Sequence, residues 1–258
     1  MIILLKENLV NIKNVKKLSK RFICKNYNTL KKKDYSNVIA IYTKLKDKIN
    51  QNNIKYFINL KYILSPTTGL NHIDEKIIND KKIKIISLRL FSKEIKKITS
   101  TSEFTIALIL SASRKILEQS YFSKKSILNR YKYETYQFKN QTVGIIGYGR
   151  IGKYVAQKLS KLGFKVIIND VNKNIIQNKN FRSLKYLMAN SNIISLHVNY
   201  TKKNENLLDK EYFKLCKNKP TLINTSRGEL VNEKDLIKFL KKQKLSSAYL
   251  DVIRGEQA

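Results

Sequence analysis

The chain has 258 residues, 42% hydrophobic and 10% aromatic, which is enough apolar material for one large or two modest domains. Eight glycines and two prolines exclude collagen-like and low-complexity classes, and two cysteines, Cys24 and Cys216, exclude a disulfide scaffold and read as reduced intracellular thiols. A formal charge of +33 points toward nucleic acid, but only eight of the 52 basic residues are arginine and the 44 lysines are spread along the whole chain, a solvated surface rather than a phosphate-reading stripe, so no nucleic-acid partner is expected.

Ile2–Leu5 reads as a first buried strand, too short for the core of a signal peptide. No apolar run approaches the roughly 20 residues of a membrane span, so the expectation is a cytoplasmic globular protein with no membrane contact. The apolar runs Val38–Tyr42, Tyr56–Ile58, Tyr62–Leu64 and Ile83–Leu88 alternate with lysine-rich amphipathic segments, the pattern of βα units and a parallel sheet. Pro66-Thr67-Thr68-Gly69 follows a strand and leads into a helix near Asp74. From Thr101 to Arg130 the pattern is helical, with Phe104, Leu108, Ser111, Ala112 and Ile116 on one face. That helix is the expected joint between a domain of residues 1–100 and a second of residues 101–258.

The strongest signal begins at Thr142. A buried strand runs into Gly147-Tyr148-Gly149-Arg150-Ile151-Gly152, an amphipathic helix follows through Leu162, and a second strand, Phe164–Ile168, ends in Asn169-Asp170. Gly147 permits the tight turn, Gly149 admits a pyrophosphate close to the backbone, and Gly152 lets helix pack on strand. The exposed N–H groups of the helix start, through Arg150 and Ile151, hold the phosphate charge. Asp170 stands where a carboxylate accepts from ribose hydroxyls and repels a 2′-phosphate, so NAD is expected rather than NADP.

Further strands are expected at Asn192–Val198, Thr221–Asn224 and Ser247–Val252, with helices at Ser183–Met188 and Glu233–Lys241. The fold class is therefore α/β, a doubly wound Rossmann domain preceded by a smaller flavodoxin-like α/β domain. Ligands in such sheets lie beyond the carboxyl ends of the strands, which here carry Asp170, His197, Thr225, Arg227 and Asp251. Arg227 sits where a substrate meets a nicotinamide, although an arginine followed by glycine at a strand end also fits a structural carboxylate cap. No Cys/His cluster has metal-ligand spacing, so no metal is expected.

Over nearly its whole length the sequence resembles the D-isomer-specific 2-hydroxyacid dehydrogenases, the group that includes phosphoglycerate dehydrogenase. The resemblance is carried by Ser65–Asp74, Gly144–Gly152 with Asp170, Ser195–Val198, Leu222–Val231 and Ala248–Val252. It implies NAD-dependent interconversion of a 2-keto acid and a D-2-hydroxy acid. It further implies that Arg227 grips the substrate carboxylate and carbonyl, that Thr68 and Gly69 offer N–H groups to that carboxylate, and that Asp251 holds the carboxamide. His197 itself reads as lining the cofactor pocket or as a strand-end residue with a satisfied hydrogen bond, and Thr225 is a further cofactor-binding candidate. Glu256 falls at the acidic partner of a catalytic histidine. That histidine lies downstream of the acid in the family and is not among these residues. The chain accordingly reads as C-terminally truncated, its first domain lacking a return segment and its second lacking a last strand and the histidine loop. Asn199 and Gln257 also stand where the family usually has proline. His72 falls at a loop-stabilising position. The resemblance implies a homodimer built on the nucleotide domains. A second reading is a non-catalytic NAD(H)-binding short form acting as a sensor or partner subunit.

Overall fold

Two five-stranded parallel sheets carry the fold, one in each of two units that divide between Lys97 and Ile98. The computed structural model describes residues 1–5, 20–44, 47–123 and 135–255.

In the first unit the strands are β1 (Ile2–Leu5), β2 (Ile23–Asn26), β3 (Val38–Tyr42), β4 (Tyr62–Ser65) and β5 (Lys84–Ser87), in the order β2-β1-β3-β4-β5. This is the flavodoxin-like order. β1 is apolar at every position because both of its faces are covered. Ile2 and Leu4 join Ile41, Ile54, Phe57 and Ile63 on one side, and Ile3 and Leu5 join Ala40 on the other. Short helices α1 (Gln51–Ile54), α2 (Glu75–Asp80) and α3 (Ser92–Lys96) and the 3-10 turns Tyr27–Thr29, Lys32–Asn37 and Leu88–Leu90 complete the described part. The run Tyr56–Ile58 is not a strand. It follows α1 as a turn, with Phe57 buried while Tyr56 and Ile58 are exposed. The reciprocal bonds between Asn50 and Asn53 start a helix there, and one anchored ring then suffices to hold the turn.

The helix expected over Thr101–Arg130 is broken. α4 (Ser100–Ser113) ends at Arg114, Lys115 takes a left-handed φ of 50°, and α5 (Ile116–Ser123) follows; residues 124–130 lie outside the described part. The buried stripe of α4 is Ser102, Thr105, Ile109 and Ser113. Of the expected apolar face, Leu108 and Ala112 pack against the core, while Phe104 and Ile116 are 46% and 50% exposed. Small side chains let the helix approach its neighbours closely, and a phenylalanine on that face would hold it off.

The remaining elements are β6 (Thr142–Ile146), α6 (Arg150–Lys161), β7 (Lys165–Asn169), α7 (Leu184–Asn190), β8 (Ile193–Leu196), α8 (Lys210–Phe213), β9 (Thr221–Asn224), α9 (Glu233–Lys241) and β10 (Ser247–Leu250). The sheet order is β10-β9-β8-β6-β7. Outside β7, Phe181 makes one parallel bridge to Ile168, flanked by hydrogen bonds from Ile168 N to Asn180 O and from Arg182 N to Ile168 O. Counting that bridge as a strand reduced to one residue, the order from β6 is 3-2-1-4-5-6, the doubly wound Rossmann arrangement. Its switch point falls between β6 and β8. α4 packs on α6 and β9. No helix among the described residues is long and apolar enough to cross a membrane.

Candidate functional site

At the end of β6 the chain turns through Gly147, whose φ is +93° and whose N–H donates to Asn169 O over 2.8 Å. A Cβ at Gly152 would lie 2.0 Å from Gly147 O, so helix and turn touch backbone to backbone. Gly149 differs. Nothing lies within 4 Å of a Cβ built there, and it caps the twelve-residue α6 without any side-chain cap bond. Open space in front of uncapped N–H groups at a helix start is the arrangement that accepts a pyrophosphate. These residues therefore fit a dinucleotide. Asp170, just past β7, accepts from Tyr148 N over 2.6 Å and from Asn172 N over 2.8 Å. The carboxylate is thus tied to the glycine turn, and each oxygen keeps a further lone pair for a hydroxyl. Arg150 turns its guanidinium toward Ile98 O at 2.7 Å, while Ile151 packs into the core between sheet and helix.

The end of β8 carries His197, whose Nε2 lies 2.9 Å from the buried Ser195 Oγ. The residue is half-buried, and its burial disfavours the charged form and lowers its pKa to about 4. This imidazole is neutral at ordinary pH.

At the end of β9 a turn is built on Asn224, which is almost wholly buried. Its Oδ1 accepts from Ser226 N at 3.0 Å and its Nδ2 donates to Arg227 O at 2.9 Å. Ser226 Oγ donates to Leu196 O at 2.7 Å, pinning the turn to β8. Arg227 leaves this frame half-buried, with Nη1 2.6 Å from Ser226 O. The Thr225 hydroxyl faces Thr105 of α4 at 2.8 Å; Thr105 already donates to Thr101 O, so Thr225 is the donor. Asp251 stands exposed past β10, its N–H on Asn224 O at 3.0 Å. A Cβ on Gly228 would meet Ile253 C at 2.2 Å, so the two strand-end loops are in backbone contact. Arg254 fastens them to the rest of the unit, pairing with Glu205 at 2.7 Å and bonding Asn206 Oδ1 at 2.6 Å. The guanidinium holds the Glu205 carboxyl below its usual range. Glu256 lies outside the described residues. The roles of Thr105 and Arg254 leave no local signal in the sequence, whereas Asn224-x-Ser226 is the spacing of an Asx turn and was open to detection.

In the first unit the loop after β4 is braced by side chains. Ser65 Oγ and Thr67 Oγ1 are 2.8 Å apart, Thr67 donates to Gly69 O at 2.7 Å, and Arg89 Nε donates to Thr68 O at 2.6 Å. Thr68 is exposed and Gly69 half-buried. His72 is buried beneath the loop, with Nε2 3.5 Å from Ser65 Oγ. Among the described residues no group of three His, Cys, Asp or Glu is placed to hold a metal ion.

A family model described as D-isomer specific 2-hydroxyacid dehydrogenase, NAD binding domain, matches residues 106–258. The chain is 30% identical over 226 residues to a glyoxylate reductase of Thermofilum pendens, covering 84% of this chain and 65% of that one. It is 29% identical over 209 residues to a glycerate dehydrogenase of Methylorubrum extorquens, covering 79% and 64%. It thus spans a little under two thirds of the length of these relatives. Among solved structures it resembles the D-lactate dehydrogenase of Aquifex aeolicus in complex with NAD and lactic acid, with a TM-score of 0.86 and 26% identity over 100% of this chain and 78% of that one.

Proposed function

The chain belongs to the D-isomer specific 2-hydroxyacid dehydrogenase family, and we propose that it is an NAD-dependent oxidoreductase interconverting a D-2-hydroxy acid and its 2-keto acid. The observation that carries this reading is one sheet edge. The open glycine turn with its acid, the Asn224-framed Arg227 and the Asp251 loop all stand beyond the carboxyl ends of the strands of one sheet, β6 to β10. Bound NAD(H) supplies the hydride acceptor or donor. The backbone from Gly147 to Gly152 holds the pyrophosphate, Asp170 accepts from the ribose, and Asp251 takes the carboxamide. Arg227 binds the substrate carboxylate and polarises the carbonyl, which raises the electrophilicity of C2. Glu256 is assigned to orient a proton-transferring imidazole.

If Asp170 selects the cofactor, Asp170→Ala should weaken NADH binding about tenfold or more, because charge-assisted bonds contribute ~1.5–3 kcal/mol. It should also narrow the gap to NADPH by removing a repulsive charge. Fluorescence titration with both cofactors measures this, and equal affinity of the unmutated protein for the two overturns the assignment.

The 258 residues contain two histidines. His72 is buried under its loop, and the His197 imidazole is directed to Ser195. Neither is proposed as the acid–base. General acid–base catalysis contributes about 10² to 10⁴ in rate. This chain is therefore expected to bind NADH and to reduce 2-keto acids far below the ordinary ~10 per second. Turnover near that value, followed by its loss in His72→Gln or His197→Gln, would assign the proton to one of them.

The proposed assembly is a homodimer of the second unit. Phe104, Ile116, Leu117 and Tyr121 leave an exposed apolar surface on α4 and α5, beside the edge strand β10. Light scattering at micromolar concentration should give about twice the single-chain mass of 30.2 kDa; a species of one-chain mass overturns the dimer.

A further inference from the structure

We propose that Arg89 is a specificity-determining residue that reads a second negative group on the substrate, so that the preferred 2-keto acid is dianionic; this rests on the dehydrogenase reading above. Arg89 follows β5 at the carboxyl end of the first sheet, the edge on which ligands of parallel sheets bind. Its Nε donates to Thr68 O at 2.6 Å, across the ends of the adjacent strands β4 and β5. That bond holds the guanidinium against the Thr68–Gly69 loop, whose N–H groups are the ones assigned to the substrate carboxylate.

The bond to Thr68 uses one of five N–H groups. Among the described residues the other four make no hydrogen bond, and the ion pairs there are Lys25–Asp34, Lys214–Glu211 and Arg254–Glu205, none of which includes Arg89. The side chain is exposed, so its charge is directed outward beside the loop rather than neutralised within the fold. A planar fork held at one end, with its terminal nitrogens unspent, matches the two oxygens of a carboxylate or phosphate. Diffuse lysines do not provide this geometry. A 2-keto acid anchored at the loop by its first carboxylate places a distal anion within reach of this fork, and an uncharged tail leaves the fork unused.

The test uses the NADH-loaded 258-residue chain, titrated by calorimetry with pyruvate, 2-oxoglutarate and 3-phosphooxypyruvate. At least one dianionic acid should bind tenfold or more tighter than pyruvate, and the two dianionic arms tell a distal carboxylate from a phosphate. Arg89→Met should collapse this selectivity to within about twofold, and Arg89→Lys, which keeps the charge without the fork, should restore only part of it. A thermal melt of each variant controls for folding. Equal losses for pyruvate and the dianionic acids would make Arg89 a strut of the loop and overturn the proposal. Pyruvate binding as tightly as both dianions overturns it too, with the dehydrogenase reading left standing. Failure of all three acids to bind overturns both.

Discussion

Gly152→Ala should abolish NADH binding at millimolar cofactor and lower the melting temperature by several degrees. The new Cβ would stand 2.0 Å from Gly147 O, and that carbonyl has nowhere to move. Gly147 is held by its bond to Asn169 O, and a Cβ built on it would already lie 2.6 Å from His197 O. α6 must therefore shift off β6. Overpacking of this kind costs about 1–3 kcal/mol, and each kcal/mol is worth about 2–4 °C in a unit of this size. The shift also carries the first N–H groups of α6 away from the phosphate position. Gly149→Ala is the discriminating companion. Its Cβ meets no protein atom within 4 Å and its φ of −76° suits alanine, so stability should hold. NADH affinity should still fall, because the methyl occupies the space into which the pyrophosphate comes. Thermal melts and NADH fluorescence titrations on both variants separate the effects. An unchanged melt for Gly152→Ala would mean that the backbone contact is not tight.

Arg227→Gln should lower 2-keto acid affinity about a hundredfold or more while leaving NADH affinity within a few fold. Losing one partner of a hydrogen-bonded charge pair costs about 2–5 kcal/mol. Glutamine keeps a polar side chain but neither the charge nor the fork. Asn224→Ala tests the frame beneath it. Two buried bonds are lost, to Ser226 N and Arg227 O, which should destabilise the chain by about 1–3 kcal/mol and weaken acid binding less than Arg227→Gln does. Calorimetry on the NADH-loaded protein gives both numbers. If Arg227→Gln bound pyruvate like the unmutated chain, Arg227 would instead be the structural cap that its position also permits.

The sequence by itself determined the strand–turn–helix from Thr142 to Lys161, the strand after it, and the doubly wound class. These features are local. Glycine is needed where φ is positive or where backbones touch, and strands covered on both faces must be apolar throughout. The turn framed by Asn224 belongs to the same kind, since its donors and acceptors lie within three residues.

What spans long sequence separations was decided only by the tertiary structure. Thr105 and Thr225 are 120 residues apart and meet because α4 crosses the end of β9. Arg254 and Glu205 meet across 49 residues, and Arg89 and Thr68 across 21. The buried stripe of α4 was decided in the same way. Ile109 is its one large side chain, the space left by α6 and β9 admits Ser102, Thr105 and Ser113 around it, and Phe104 stays exposed. β2 has a polar end and no alternation, and only the exposed backbone edge of β1 makes it a strand. The third strand of the second sheet shrank to Phe181 alone, one residue being enough to pair with Ile168. Covalent geometry and two-sided burial are written residue by residue. Partners across a sheet edge depend on where the topology brings distant strand ends together, and no local pattern encodes that.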